Sequence, residues 1–424
     1  MSETATHRAD GRPRIVVTGL GAVTDIGTDA ESTWQAMLAG KSGIGNVTAF
    51  DISDKGWSVR IAGEVHGWDP RKRLDHKQAR RVDRFAAFAM YATKEAIEGA
   101  GLDLEKVEST RAGVVIGSGV GGVISLAEAH HKLITAGPSR VGPLTVPKLM
   151  VNAATGNVAI MLHFQGPNSA TATACSSSGH AIGTAYDMMQ QGLTDVMIAG
   201  GSEAAITPVC LAAFMTMKAL STRNDEPQKA SRPFDRNRDG FVLAEGCGVC
   251  ILETAEHALN RGAEILAEIR GIGYSCDADH ITAPNPQGAG AANSMRWALR
   301  DAQINPSDID YINAHGTSTP LGDLAEINAV HTVFDEHCTN ISMASTKSMT
   351  GHALGASGAI ELLPCVLGIR DNVCAPTINL DDPEDAFGID LVANTPRQRI
   401  IRYALNNTFG FGGHNVSVVV GRYE

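Results

Sequence analysis

The sequence has few aromatic residues and no long uninterrupted apolar run. Of its 424 residues, 5% are aromatic and 43% are hydrophobic, which is an ordinary composition for a soluble protein. No segment approaches the roughly 20 apolar residues that a membrane-spanning helix needs. The formal net charge of −11 argues against a general role on nucleic acids or at a membrane surface. A chain of this length can bury a large core and suggests two or three domains.

The sequence also lacks a secretory signal and a disulfide pattern. Residues 1–13 are polar, contain no apolar core segment and predict a short disordered lead-in. The eight cysteines are scattered, which fits a reducing compartment, so we expect a cytoplasmic protein. Cys247 and Cys250 have C-x-x-C spacing, but residues three apart on a strand face opposite sides of the sheet. Zinc binding or redox use by this pair is therefore not expected.

One glycine pattern does not complete a nucleotide site. Gly117, Gly119 and Gly122 match G-x-G-x-x-G after an apolar run. A dinucleotide site would also have an acidic residue about 20 positions later, at the end of a second strand. Residues 136–140 contain no acidic residue and no strand pattern, and no Walker A pattern occurs in the chain. The glycines therefore predict a tight turn near the core, and we expect no cofactor and no metal.

Strand-like and helix-like segments alternate along the chain, which predicts an α/β architecture. A short echo relates residues 174–183 to residues 346–355 at a constant offset of 172, and Gly-His-Ala-x-Gly occurs in both. This echo predicts a duplicated α/β unit, with an N-terminal half at 14–260 and a C-terminal half at 261–424. In such a duplicated unit we expect two helix N-termini to face a shared centre, where one site can be assembled from both halves.

Cys175 follows a run of small residues and precedes an Ala/Met-rich helical segment. The serines beside it are good N-caps, so the cysteine is expected at the first turn of that helix. There the helix dipole and the unpaired N–H groups would lower the thiol pKa toward a reactive thiolate. A buried structural cysteine is the alternative, and this stretch alone does not decide between the two.

Two histidines stand beside breaks in the second half of the chain. His315 lies where a predicted strand breaks into a polar loop, and His352 opens the helix of the second echo. A lone histidine is more often a satisfied polar group than a catalyst. Two such histidines together with a cysteine at a helix start favour nucleophilic chemistry at a thiolate.

The sequence resembles the elongating β-ketoacyl-[acyl-carrier-protein] synthases of type II, in the thiolase-fold superfamily. The resemblance covers nearly the whole chain. Its motifs are Thr-Ala-Cys-Ser-Ser-Ser at 173–178, Asn-Ala-His-Gly-Thr-Ser-Thr-Pro at 313–320, Thr-Lys-Ser-Met-Thr-Gly-His at 346–352 and Asn-Thr-Phe-Gly-Phe-Gly-Gly-His-Asn at 407–415. It implies a thiolase-like duplicated five-layer αβαβα fold and a homodimer. It also implies acyl- and malonyl-loaded acyl carrier protein as partners, with no nucleic acid and no membrane.

The resemblance further implies a reaction, the chain-elongation step of fatty-acid biosynthesis. Cys175 would take the acyl chain from its carrier. His315 and His352, as neutral imidazoles, would stabilise the charge that forms when malonyl thioester loses CO2. The carbanion would then attack the acyl-Cys175 thioester in a decarboxylative Claisen condensation that gives 3-oxoacyl carrier. The new oxyanion would lie on the backbone N–H groups of Cys175 and Phe411.

Other residues match the family around these three. Lys347 and Glu326 match a buried Lys–Glu pair with an orienting role near His352, although Glu326 taken alone is typical of an exposed helix acid. His180 matches no functional position and is expected to be only a repeat of the echo. The predicted gating phenylalanines and the loop that faces them comprise Phe409, Phe411, Asp277 and His280.

The one strongly basic stretch, residues 71–84, predicts either a solvated helix face or a docking patch for an acidic partner. Carrier proteins are strongly acidic, so the resemblance favours docking. The candidate docking residues are Lys77, Arg80, Arg81 and Arg223.

Two departures from the family pattern leave the pathway open. The triplet Ser176–Ser178 is common in polyketide ketosynthases, and His414 replaces a frequent threonine. A freestanding polyketide-type ketosynthase with the same chemistry is therefore the alternative. The paired histidines argue against a degradative thiolase, and a scaffolding homologue without activity would form no acyl-enzyme.

Overall fold

The computed structural model describes residues 3–54 and 56–424, and ten of its strands form one mixed sheet. Within these residues no helix is long and apolar enough to cross a bilayer. The strands are β1 (Ile15–Val23), β2 (Gly45–Asn46), β3 (Ile61–Ala62), β4 (Ala112–Gly117), β5 (Asn168–Ser169), β6 (Val196–Glu203), β7 (Gly246–Thr254), β8 (Ala267–Cys276), β9 (Tyr311–Asn313), β10 (Ser342–Ala344), β11 (Val373–Cys374), β12 (Arg397–Gln398), β13 (Tyr403–Gly410) and β14 (His414–Gly421).

Helices cover the faces of the sheet and connect its strands. They are α1 (Glu3–Thr6), α2 (Ala30–Leu38), α3 (His76–Arg81), α4 (Arg84–Ala100), α5 (Val123–Ala136), α6 (Thr145–Leu149), α7 (Ala153–Leu162), α8 (Ser177–Gln190), α9 (Pro208–Thr216), α10 (Ala255–Asn260), α11 (Ala289–Ala302), α12 (Pro320–Phe334), α13 (Lys347–Thr350), α14 (Ser357–Ile360) and α15 (Leu362–Asp371). Local signals set their ends. For example, α4 starts where the Asp83 carboxylate accepts from the N–H of Phe85, and it stops at Gly101 in the left-handed conformation.

The ten-stranded sheet consists of two blocks of five strands with the same internal order. From the middle outward the blocks run β1, β7, β6, β4, β5 and β8, β14, β13, β9, β10. In each block the first two pairings are antiparallel and the last two are parallel. Within the described strands, the two blocks pair where Ile15–Val17 of β1 lie against Ala267–Ile269 of β8.

Alternation of side chains along the strands separates the helices into layers. On β4, Val114 and Ile116 pack with α4 and α7, whereas Val115 packs with the central α8 and α15. On β14, Val419 packs with α11 and α12, whereas Val418 faces the same central helices. The layers therefore run helix, sheet, helix, sheet, helix. This confirms the predicted αβαβα architecture.

The C-x-x-C pair on β7 follows the same alternation. Cys247 belongs to the outer cluster with α4, and Cys250 belongs to the central cluster. The two thiols lie on opposite faces of the sheet, as the spacing predicts, and both cysteines are free.

The two central helices start alike, but not at the offset that the sequence echo suggests. A 3₁₀ turn at Ala174–Ser176 leads into α8, and one at Leu354–Ala356 leads into α14. Ala174 and Leu354 both have positive φ, at 51° and 46°. The structural match thus pairs Cys175 with a residue of the turn before α14, whereas the echo pairs it with Lys347. The expectation that the two helix starts meet is confirmed, because Ser178 Oγ of α8 accepts from the N–H of Ala359 in α14 at 3.0 Å.

The predicted disordered lead-in overlaps a segment with defined contacts. Residues 1 and 2 lie outside the described residues, but Glu3–Thr6 are helical. Arg8 is buried, and its guanidinium donates to Tyr186 Oη at 2.7 Å and to Arg270 O at 2.9 Å. In the described part of residues 1–13 the structure thus differs from the expected disorder, because Arg8 forms hydrogen bonds with Tyr186 of α8 and with Arg270 of β8.

Candidate active site

Cys175 lies on the short turn between a polar stretch and α8. Ala174 precedes it with a left-handed φ of 51°, which costs a non-glycine residue about 1–3 kcal/mol. Hydrogen bonds compensate for this strain. Ser176 Oγ donates to Thr173 O at 2.8 Å, and Ser177 Oγ donates to Ala174 O at 2.7 Å and accepts from Thr173 N at 2.9 Å. The serines therefore bond to the turn instead of acting as the predicted helix caps.

The thiol is buried, and burial decides its protonation. Only 7% of Cys175 is exposed. Burial raises the pKa of the thiol to about 12, while the positive charge of Lys347 and the backbone N–H of Phe411 lower it in part. The expectation of a lowered pKa at the helix start is therefore wrong for this buried thiol, because loss of solvation outweighs the favourable dipoles. The group is a thiol at neutral pH, and its proton has to leave as the acyl group arrives.

His315 and His352 lie side by side in the same cavity as Cys175. Their ring centroids are 5.5 Å apart in an edge-to-face arrangement. Burial, and then the charge of Lys347, lower the pKa of both imidazoles well below the usual value. Both rings are therefore neutral at pH 7. His352 Nδ1 lies 2.9 Å from Ser357 Oγ, which leaves Nε2 for the cavity.

Glu326 fixes the loop that carries His315. Its two carboxylate oxygens accept from the backbone N–H of His315 at 2.9 Å and of Gly316 at 2.7 Å. Burial raises the pKa of this carboxyl group to about 7. Glu326 is only 2% exposed, which excludes the reading of it as an ordinary surface acid.

Lys347 does not form its ion pair with Glu326, as the resemblance suggested, but with Glu361. Its Nζ also donates to His315 O at 2.6 Å. Both partners of the pair are buried, at 1% and 2% exposure of the side chains. Glu361 follows α14 directly, so the turn of chain between His352 and α15 supplies the counter-ion. Sequence reasoning missed it, although an acid inside the apolar run 358–367 was a usable signal.

Glu203 is a second buried acid that the sequence did not reveal. It ends β6, and its carboxylate accepts from Ser118 Oγ at 2.8 Å and from the backbone N–H of Gly119 at 2.6 Å and Gly355 at 3.1 Å. The G-x-G-x-x-G turn thus surrounds a carboxylate of the protein itself. This explains in physical terms why the pattern occurs without a dinucleotide site.

The end of β13 and the glycine-rich turn that follows it also line the cavity. The Phe409 ring lies 5.6 Å from the His315 ring. Gly410 approaches the nucleophile turn so closely that a Cβ there would be 2.6 Å from Thr173 O. The N–H of Gly412 donates to Ile281 O at 2.7 Å, so this turn is tied to the loop 277–285.

The facing loop holds Asp277 and His280 where the sequence predicted them. Asp277 N donates to Gly413 O at 2.9 Å, and Asn415 Nδ2 donates to Asp277 Oδ1 at 2.7 Å. His280 is exposed, and its Nδ1 accepts from the N–H of Ala283 at 3.0 Å. Both residues border the cavity together with Phe409 and Phe411. The structure thus brings the predicted gating group together.

One cavity of about 610 Å³ joins these parts. Cys175, His315 and His352 all contribute to its lining. Apolar side chains, including Phe214, Met217 and Leu354, form much of the remaining wall. A volume of this size suits a flexible, largely apolar ligand.

The basic candidates do not form one group. Lys77, Arg80 and Arg81 lie exposed on α3 and are not part of the cavity lining. Arg223 is only half-buried and is committed elsewhere, since its guanidinium donates to Asn237 O at 2.7 Å and lies 3.7 Å from the carboxylate of Asp239. Asp239 does line the cavity, so Arg223 is the candidate nearest to it.

The five-layer fold and this cavity together define the class of the protein. A cysteine thiol that shares a cavity with two neutral imidazoles is the arrangement of a thiolase-fold condensing enzyme.

Comparisons with known proteins agree with this class. The family model described as "Beta-ketoacyl synthase, N-terminal domain" matches residues 12–258, and the one described as "Beta-ketoacyl synthase, C-terminal domain" matches residues 266–381. The chain therefore belongs to the β-ketoacyl synthase family, which confirms the resemblance seen in its motifs.

Relatives and solved structures place it more closely. The curated "3-oxoacyl-[acyl-carrier-protein] synthase 2" of Synechocystis sp. is 46% identical over 97% of this chain and 99% of its own. The solved β-ketoacyl synthase from Burkholderia phymatum has a TM-score of 0.90 at 34% identity, covering 96% of this chain and 99% of its own. A type II polyketide ketosynthase solved in complex with its acyl-carrier protein has a TM-score of 0.90 at 33% identity, covering 97% and 99% of the two chains.

Proposed function

We propose that the protein condenses an acyl group held on Cys175 with malonyl-[acyl-carrier protein] to give 3-oxoacyl-[acyl-carrier protein], CO2 and free carrier. It is an acyltransferase that acts in chain elongation during fatty-acid biosynthesis. The observation that carries the proposal is the cavity whose lining includes the Cys175 thiol together with the neutral, adjacent imidazoles of His315 and His352. A polyketide role is not favoured, because identity reaches 46% with the fatty-acid relative but only 33% with the polyketide ketosynthase.

In the first half-reaction the thiol sulfur of Cys175 attacks the acyl thioester of the carrier. A new acyl–sulfur bond forms, the bond to the carrier's sulfur breaks, and the proton of Cys175 ends on the released carrier thiol. Because burial raises the pKa of Cys175 to about 12, a free thiolate does not accumulate at neutral pH. The backbone N–H groups of Cys175 and Phe411 stabilise the tetrahedral oxyanion.

In the second half-reaction malonyl thioester loses CO2. The electron pair of the broken bond moves onto the thioester carbonyl oxygen, where His315 and His352 donate hydrogen bonds to the developing enolate. Neutral donors suit this step, since they stabilise the charge without delivering a proton that would quench the carbanion. The carbanion then attacks the acyl-Cys175 carbonyl, a carbon–carbon bond forms, and the acyl–sulfur bond breaks. Cys175 leaves as a thiolate and takes up one proton from solvent, which restores the thiol.

Surrounding residues position these groups. Lys347 holds the carbonyl of His315, and Glu326 holds the N–H of the same residue. The phenylalanines Phe409 and Phe411, with Asp277 and His280 on the facing loop, close the cavity when substrate is bound. Their contacts across the glycine-rich turn support this gating role.

Product analysis tests the reaction. The purified protein is incubated with a saturated C8–C14 acyl-carrier thioester and malonyl-carrier, and products are identified by mass spectrometry. We expect a 3-oxoacyl carrier that is two carbons longer and one CO2 per turnover. Rejection of all these saturated substrates, with acceptance of polyketide-like ones only, would contradict the fatty-acid assignment.

We further propose that α3 is a docking site for the acidic carrier protein. Lys148 Nζ of α6 donates to Arg80 O of α3 at 3.1 Å. The carbonyl of Leu149 in turn accepts from Gly122 N at 3.1 Å, close to Val120 in the cavity wall. The exposed cations of α3 are thus connected through α6 to the side of the cavity, where a carrier has to bind. The candidates remain Lys77, Arg80 and Arg81, with Arg223 nearer the opening.

Reversing charge on α3 tests the docking proposal. We expect Arg80→Glu combined with Arg81→Glu to raise KM for acyl carrier about tenfold and to leave kcat nearly unchanged, because exposed charge mainly speeds encounter. Lys106→Glu, which reverses an exposed charge outside both α3 and the cavity lining, serves as a control for the general effect of reversing a surface charge. Unchanged KM at low ionic strength, or an equal rise for a carrier-free acyl thioester, would contradict docking at α3.

We also propose that the protein is a homodimer. Large apolar side chains are exposed along α5, α6 and α7, next to the edge strand β5. An exposed apolar surface of this kind usually marks a site where another protein binds. The exposed residues are Leu126, Leu133, Ile134, Val146 and Ile160.

Sedimentation should give a mass of twice the 44.6 kDa chain mass, and the double variant Ile134→Glu with Ile160→Glu should sediment as the monomer. A wild-type monomer at micromolar concentration would refute this.

Two coarser features complete the proposal. The repeated strand order supports a chain built from two halves, 14–260 with the nucleophile and 261–424 with the histidines. The eight free cysteines support a reducing compartment and hence a cytoplasmic location, which cell fractionation checks.

A further inference from the structure

His180 lies behind the turn that carries Cys175 and does not line the cavity. Its Nδ1 is 3.1 Å from Ser176 O and 3.0 Å from Thr173 Oγ1. Because a carbonyl oxygen can only accept, Nδ1 carries the hydrogen and donates it. One ring N–H therefore connects the residue just after the cysteine to the side chain two residues before it.

The ring of His180 is itself held firmly. It stacks on Tyr274 with centroids 5.4 Å apart and an interplanar angle of 20°. Tyr274 Oη donates to Asp187 Oδ2 at 2.8 Å, two helical turns along α8 from His180. Gly183 leaves room for the Tyr274 ring, since a Cβ at position 183 would lie 2.2 Å from Tyr274 Oη.

A third contact ties the ring to the glycine-rich turn. The His180 ring meets the His414 ring edge-to-face at 6.2 Å, and His414 begins β14 directly after that turn. The His180 ring is thus held in place by residues of β8 and β14. Through the hydrogen bonds of its Nδ1 it restricts the conformation of the turn at 173–176.

The nucleophile turn needs such support because its conformation is unfavourable alone. Ala174 is left-handed, a region that residues with a Cβ rarely occupy without external constraints. If Ala174 relaxed, the Cys175 side chain and N–H would change direction together. The hydroxyl groups of Ser176 and Ser177 hold the turn from within, whereas His180 holds it from the first turn of α8, where its ring contacts Tyr274 of β8 and His414 of β14.

We propose that His180 is a positioning residue for the nucleophile, holding the left-handed turn so that the Cys175 thiol and its N–H point into the cavity. The proposal rests on the proposed acyl transfer to Cys175. It also revises the view of His180 as a mere repeat of the echo. His180 acts only through the turn, so it should affect the acylation step and not decarboxylation at His315 and His352.

The test compares two substitutions of different kinds. His180→Phe keeps a ring to stack on Tyr274 but removes the donor, whereas His180→Asn places an amide N–H near the position of Nδ1. We expect His180→Phe to slow both acylation of Cys175 and its alkylation by iodoacetamide about tenfold, and to change the pH profile of alkylation. His180→Asn should recover most of both rates. CO2 release from malonyl-carrier should stay near wild type in both variants.

Controls separate this role from simple loss of structure. Tyr274→Phe removes the bond to Asp187 and keeps the stack, so it should alkylate at nearly the wild-type rate. Wild-type acylation and alkylation rates in His180→Phe would overturn the proposal. Parallel loss of acylation and decarboxylation with a lower Tm and no recovery in His180→Asn would also overturn it. Iodoacetamide needs no carrier, so alkylation tests the positioning role even if acyl transfer itself fails in the wild-type protein.

Discussion

Replacing Cys175 by alanine is expected to abolish condensation while decarboxylation of malonyl-carrier continues. Among the described residues that line the cavity, Cys175 carries the only thiol, and the substitution removes it while the neutral rings of His315 and His352 stay in place. Condensation should fall by more than about 10³-fold, as for other nucleophile deletions. Intact-mass spectrometry should find no acyl adduct on the variant, and CO2 release should remain measurable.

His352→Ala is the matched control, with the opposite expected outcome. The acyl adduct on Cys175 should still form, whereas CO2 release should drop about 10²-fold because one of two donors to the enolate is lost. An adduct that persists in Cys175→Ala would refute the nucleophile assignment. Complete loss of CO2 release in Cys175→Ala would contradict the role given to the histidines.

The three central residues of the candidate site could be predicted from the sequence because each lies in a short local motif. Cys175 follows small residues at a helix start, and His315 and His352 stand at breaks between elements. Such breaks are where backbone and side chains become available to a cavity. The structure then brings the three together, although 140 residues separate Cys175 from His315.

The site features that the sequence did not yield depend on long-range packing. Glu361 and Glu203 look like isolated acids within apolar segments, and only the fold reveals their partners, Lys347 and the N–H groups of Gly119 and Gly355. No local pattern in the sequence indicates which of several acids will form an ion pair with a buried lysine. The family resemblance suggested Glu326, but the Glu326 carboxylate accepts hydrogen bonds from backbone N–H groups instead.

The thiol pKa was mispredicted for a related reason. A helix start favours a thiolate through nearby dipoles, which a sequence can indicate. Burial opposes the thiolate, and the extent of burial depends on the glycine-rich turn and on α14, which are far away in the chain.

The duplicated architecture could be predicted from the sequence, since it rests on the alternation of strand-like and helix-like segments and on the echo. However, the echo misplaced the repeat by eight residues, because the offset between the matching turns at 174 and 354 is 180 and not 172.

The buried pair of Lys347 with Glu361 leads to the second large expected effect. Lys347→Met should lower the free energy of unfolding by about 3 kcal/mol, since removal of one partner leaves the other acid buried without its cation. Urea denaturation measures this loss. Combining Lys347→Met with Glu361→Gln should restore much of the stability, because no uncompensated charge then remains. A single variant as stable as wild type would contradict the structural importance of the pair.

The double variant should regain stability without regaining its normal pH dependence. Burial, and then the charge of Lys347, lower the pKa of His315 and His352. Without that charge both pKa values rise toward their ordinary value. Since decarboxylation needs neutral rings, activity is present above these pKa values and is lost as the pH falls through them. The acidic limb of the CO2-release profile should therefore move to higher pH in the double variant. An acidic limb at the wild-type position in a stably folded double variant would mean that Lys347 serves structure alone.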